Sequence, residues 1–190
     1  MIGICGLTKS YDGKSVLQGL DLSFSKGKVT AVMAPSGAGK TTLLRILLGL
    51  EKADSGEIRD LSGLRMSAVF QEDRLCENLS PVANIRLVNP RLKREEVLSA
   101  MASVGLFDCA DQPCRELSGG MRRRVALLRA LLAEYDLILL DEPFKGLDEE
   151  TRQTVMEETR RRTAGKTVLL VTHDPEEAAA MDAASVVNLE

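Results

Sequence analysis

The stretch Val29-Thr30-Ala31-Val32-Met33-Ala34-Pro35-Ser36-Gly37-Ala38-Gly39-Lys40-Thr41-Thr42 decides how this chain folds. Val29 to Met33 is short, apolar and nearly continuous, as a strand buried on both faces must be. Thr41 to Leu50 then reads as a helix with a core-facing leucine stripe. Between them, Ala34 to Thr41 departs from the phosphate-loop pattern G-x-x-x-x-G-K-[ST] at one position, where Ala34 replaces the first glycine. Gly37 and Gly39 allow the backbone to curl and aim its N–H groups at phosphate oxygens. The helix that follows points its positive end at the same anion. Lys40 can reach β- and γ-phosphates, and the Thr41 hydroxyl suits Mg²⁺, a hard cation that prefers oxygen. With Ala at the first position, a backbone angle that alanine tolerates is expected there.

Working outward, Met66 to Phe70, Leu137 to Leu140 and Thr167 to Val171 are further aliphatic runs of strand length. Arg94 to Val104, Gly119 to Ala133 and Glu149 to Thr163 read as helices. Strands interleaved with helices predict an α/β fold with a mostly parallel sheet. Ile2 to Phe24 alternates instead, around a turn at Tyr11-Asp12-Gly13-Lys14, and predicts an antiparallel β flap. Residues 73–115 show no strand and read as a helical insert. One domain is expected, with flap and core in 1–72 and 116–190.

The run Leu137 to Leu140 ends in Asp141-Glu142. Acids at the C-terminal end of a central strand lie where α/β sheets bind ligands. Asp141 is expected to hold Mg²⁺ through water, and Glu142 to polarise the water that attacks a γ-phosphate. Leu117-Ser118-Gly119-Gly120 precedes a helix, with Ser118 as N-cap and two glycines exposing N–H groups at its positive end. That makes a second anion site without a lysine of its own. The economical reading is that Ser118 to Gly120 grips a phosphate held by another subunit.

Bulk properties exclude several classes. Of 190 residues, 44% are hydrophobic and 28% charged, and the formal net charge of -3 gives no basic footprint for nucleic acid. There is no Trp and aromatics are 3%, too few for a base-stacking platform. The arginine runs 122–124 and 160–162 are expected to form solvated helix faces. Cys5, Cys76, Cys109 and Cys114 form no CxxC pair, and free, buried thiols in a reducing compartment are expected. No apolar run reaches the ~18 residues of a membrane span, and no signal-peptide pattern opens the chain.

Taken in order from Tyr11 to Asp174, these motifs resemble the ABC transporter ATPase family. Leu117 to Gly120 matches its signature, although the usual glutamines are replaced by Met121 and Arg123, while Arg124 fits. The resemblance implies a P-loop NTPase (RecA-like) core that binds ATP and Mg²⁺. It implies nucleotide contacts from Tyr11, stacking on adenine, and from Pro35, Ser36, Gly37, Ala38, Gly39, Lys40, Thr41 and Thr42. It adds Ser118, Gly119, Gly120 and the D-loop residue Asp148 across a dimer interface. It assigns catalysis to Glu142, Lys40, the Q-loop residue Gln71 and the switch histidine His173, and metal binding to Thr41, Gln71 and Asp141. The implied partners are a second ATPase subunit, transmembrane permease subunits and, for an importer, a solute-binding protein. The implied location is cytoplasmic, on the inner face of the cell membrane. Glu72-Asp73-Arg74-Leu75 and Glu142 to Asp148 look most like the nitrate, sulfonate and taurine import group. Two other readings stay open here: a non-transport ABC ATPase such as one of iron–sulfur assembly, and a small-molecule kinase using the same loop.

Overall fold

The computed structural model describes residues 1–35 and 37–189. Ser36 lies outside the described residues. Five parallel strands form the central sheet, in the order β5 (Met66–Val69), β6 (Leu137–Asp141), β7 (Thr167–Thr172), β3 (Val29–Met33), β8 (Ser185–Asn188). A second sheet is antiparallel, in the order β2 (Lys14–Phe24), β1 (Ile2–Tyr11), β4 (Ser55–Arg59). The flap is therefore the expected hairpin plus a third strand. That strand's alternation is hidden because Gly56 and Glu57 are exposed and only Ile58 is half-buried. Gly56 is required there: its φ is +98°, and a Cβ would come within 2.6 Å of the Gly6 carbonyl.

The buried strands feed two cores because side chains alternate. On β6, Ile138 and Leu140 join one cluster, while Leu137 and Leu139 join the other. On β7 the same division sends Val168 and Leu170 one way and Leu169 and Val171 the other. The first core is completed by α2 (Pro81–Arg86), α3 (Arg94–Ala102), α4 (Gly119–Leu131) and α5 (Glu149–Thr163). The second lies between the sheet, α1 (Lys40–Leu47) and the flap, with Phe24, Ile2 and Leu44 among its side chains. Being buried on both faces is why these strands read as continuous apolar runs.

Residues 73–115 hold α2 and α3 and no strand, and a single 3-10 turn, Cys114–Glu116, closes the segment. Asn84, fully buried, ties the insert together: its Oδ1 accepts from Cys76 N (2.9 Å) and its Nδ2 donates to the carbonyls of Cys76 (3.0 Å) and Ser80 (3.2 Å). The last helix, α6 (Pro175–Ala180), and β8 went unread because each is short, with four and six residues respectively for β8 and α6. The thiol expectation needs correction. All four cysteines are free, but only Cys109 and Cys114 are buried; Cys5 and Cys76 are exposed, since the flap and the insert's first loop face solvent there.

Candidate active site

Strand order explains why distant residues converge. Reading across β5, β6, β7 and β3, the segments that leave the C-terminal ends carry Gln71, Asp141-Glu142, His173 and the phosphate loop. A pocket of about 310 Å³ opens there, lined by Val16, Gly37, Gly39, Lys40, Thr41, Thr42, Gln71, Asp141 and Glu142. Val16, from β2, is the lining residue that the sequence did not single out. Gly39 shows how tightly flap and loop meet. Its φ is +82°, and a Cβ would stand 2.7 Å from Leu17 Cδ2 and 2.8 Å from the Val16 carbonyl. Ala34 has no positive φ, so alanine is accommodated as expected.

Lys40 is buried and donates to the Ala34 carbonyl (2.8 Å) and to Glu142 Oε1 (3.2 Å). Thr41 Oγ1 donates to Asp141 Oδ2 at 2.9 Å. Burial pushes the Asp141 carboxyl up, and the Thr41 hydrogen bond offsets part of that. Glu142 has its backbone at φ +44°, in a region strained for any residue with a Cβ. Burial raises its carboxyl, but the ammonium groups of Lys145 and Lys40 outweigh burial and hold it below its ordinary range. Lys145 Nζ lies 3.0 Å from Glu142 Oε2, and His173 Nδ1 lies 3.4 Å from Oε1. Lys145 is not among the residues singled out from the sequence; its spacing of three from Glu142 is the signal that could have found it.

A hydroxyl, a buried carboxylate and a side-chain amide on one pocket are an oxygen donor set that fits Mg²⁺. Among the described residues no group of three His, Cys, Asp or Glu gathers to hold a metal.

Not every expected residue lies on this pocket. Pro35 and His173 line an adjoining hollow with Met33, Ala34, Asn188 and Leu189. Ala38 lines another, beside β2. Tyr11 stands exposed at the hairpin tip, with Lys9 Nζ 5.2 Å from its ring centre. Ser118, Gly119 and Asp148 are exposed and away from the pocket. Ser118 Oγ accepts from Met121 N (3.2 Å) as N-cap of α4, and Asp148 Oδ1 accepts from Thr151 N (3.0 Å) as N-cap of α5. The two turns are neighbours: a Cβ at Gly120 would lie 3.5 Å from Leu147.

The expectation of a solvated Arg122–Arg124 face is wrong for Arg123, which is 4% exposed and donates to carbonyls on two other segments. It shares the stripe of Leu127 and Leu131 at i+4 and i+8, a signal that the charge run obscured.

Residues 17–145 match the ABC transporter family. The chain belongs to that family. This ABC cassette is 45% identical over 184 residues to the aliphatic sulfonates import ATP-binding protein of Nocardia farcinica, covering 93% of this chain and 73% of that one. It is 41% identical over 189 residues to the spermidine/putrescine import ATP-binding protein of Mesoplasma florum, covering 90% of this chain and 54% of that one. Its fold matches the dimeric post-hydrolysis structure of the ATP-binding cassette MJ0796 bound to ADP and Pi, with a TM-score of 0.86, 28% identity, and coverage of 100% of this chain and 94% of that one. The cassette is thus an ATPase, the ATP-binding subunit of an ABC transporter. Among its described residues no helix is long and apolar enough to cross a membrane.

Proposed function

We propose that two copies of this cassette close face to face around two ATP molecules and that their hydrolysis powers import through a membrane permease. The observation that carries this is the split between the site's two halves. Lys40, Thr41, Asp141, Glu142 and Gln71 share one pocket, while the turn Ser118–Gly120 lies outside it, with Ser118 and Gly119 exposed. A second copy is the partner that brings such a turn to the pocket. The two named relatives are both import proteins, one for sulfonates and one for polyamines, which supports import and leaves cargo choice to other subunits. A small anion, as the Glu72 to Leu75 segment suggests, is the cargo class proposed.

The chemistry follows from the residues. When ATP enters, Lys40 exchanges Glu142 for the β- and γ-phosphates, and the loop N–H groups and the N-terminus of α1 hold the same oxygens. Thr41, Gln71 and, through water, Asp141 would hold Mg²⁺, which offsets phosphate charge when bound. Glu142, kept ionised beside Lys145, accepts a proton from the water that attacks the γ-phosphate. His173, 3.4 Å from Glu142, reports the γ-phosphate, and Tyr11 stacks on adenine. The partner's Ser118–Gly120 turn closes over the γ-phosphate, with Asp148 at the interface.

Gln71 and the insert 73–115 pass the closure on. A groove of about 810 Å³ lies beside them, between the edge strand β5, α4 and residues Val88 to Arg91. The exposed side chains Leu50 and Val88 border it, and a cytoplasmic segment of the permease is proposed to dock there, holding the cassette to the inner face of the membrane. A Glu142→Gln variant tests the reading. With saturating Mg-ATP it is expected to hydrolyse nothing and to run as a dimer by light scattering; a variant that stays monomeric contradicts the sandwich.

A further inference from the structure

The guanidinium of Arg123, at a position where the family pattern carries glutamine, joins three parts of the machinery. Its Nε donates to the Pro143 carbonyl (3.0 Å), and Nη2 donates to those of Asp141 (2.8 Å) and Glu142 (2.5 Å). On the other side, Nη1 donates to the carbonyl of Phe70 (2.6 Å), lies 3.4 Å from that of Gln71, and pairs with Asp73 Oδ1 at 3.3 Å. The five donors of the fork are thus spent on two segments, 70–73 and 141–143. The planar fork can bridge both at once, which a lysine ammonium cannot. A buried cation is tolerated only when paired, and Asp73 supplies the counter-charge.

We propose that Arg123 is a positioning residue for hydrolysis, which fixes the strained Glu142 backbone and ties it to the Gln71 segment and the signature helix α4. Three of its bonds fall on the turn whose central residue has a positive φ, so they over-determine that conformation. The same bonds make Gln71, Glu142 and α4 move together when the site closes. This rests on Glu142 being the hydrolytic base.

The test compares Arg123→Met, Arg123→Gln and Arg123→Lys in the full chain, reading kcat and KM for ATP beside the stoichiometry of fluorescent ATP-analogue binding. Arg123→Met is expected to lose about tenfold or more in kcat per binding-competent molecule, with KM changed less than about threefold. Arg123→Gln keeps a planar two-donor amide and is expected to recover most of kcat, ahead of Arg123→Lys. Should Arg123→Met misfold, the Gln and Lys variants carry the comparison. Unchanged kcat in Arg123→Met, a parallel loss of kcat and affinity, or a lysine variant as good as glutamine would each overturn the proposal. Glu142→Gln, measured alongside, separates the two failures. If it still hydrolyses, the base assignment is wrong; if it is inactive while Arg123→Met is fully active, only the role of Arg123 falls.

Discussion

At the scale of single residues, the phosphate loop is governed by backbone freedom. Gly39 has both a left-handed φ and flap atoms where a Cβ would go. Holding alanine at such an angle costs about 1–2 kcal/mol, and every 1.4 kcal/mol is about tenfold in affinity. Gly39→Ala is therefore expected to weaken ATP binding about tenfold or more, measured by titration of a fluorescent nucleotide analogue; unaltered affinity would show that the flap yields easily. The chemistry-bearing types were legible because each is dictated locally: glycines for the loop, acids ending a strand, a lone histidine after another. Lys145 and Arg123 were not, because their roles depend on what the fold lays against them. Arg123 reads as surface in a triplet of arginines, yet its environment is a cage of carbonyls set by the ends of β5 and β6.

At the scale of elements, long periodic segments were readable and short ones were not. β3 and α5 fall on the expected bounds, Val29–Met33 and Glu149–Thr163. β4 and α2 escape a sequence reading because five and six residues carry too little pattern, and α2 depends on Ser80 as cap and Pro81 in its first turn. Beside the shared apolar core, one buried acid ties α5 to the insert. Burial pushes the Glu158 carboxyl up, but hydrogen bonds from Arg161, Ser103 and Arg162 outweigh it and bring it down to about 2. With a depressed folded pKa, its contribution is complete above the ordinary value of 4.5 and fades as pH falls through about 2. Glu158→Gln is expected to cost about 2 kcal/mol near neutral pH, or about 4–8 °C in Tm. Thermal melts of both proteins should draw together as pH falls from 4.5 and meet near pH 2; a gap independent of pH would mean that the charge is not what stabilises the join.

At the scale of the whole molecule, the parallel sheet was legible from its doubly buried strands, but its order was not. Nothing in a linear reading says that β7 lies between β6 and β3, and that order is what brings His173 beside Glu142. The groove beside the insert was equally invisible, being formed by segments from 48 to 134. Val88→Asp, on its rim, is expected to leave ATP hydrolysis by the free chain within about twofold while lowering ATP-driven uptake in reconstituted vesicles severalfold. Equal uptake by both proteins would remove the groove as the docking site. The central claim, that one copy's Lys40 and the other copy's Ser118 turn clasp a single γ-phosphate, is tested most directly by mixing two inactive variants, Lys40→Ala and Ser118→Arg. In a shared-site dimer, each mixed pair contains one site with both changes and one site with neither. Half of the dimers are mixed, so about a quarter of the wild-type ATPase rate should return. A mixture that forms mixed dimers and yet stays as inactive as its components would contradict the account.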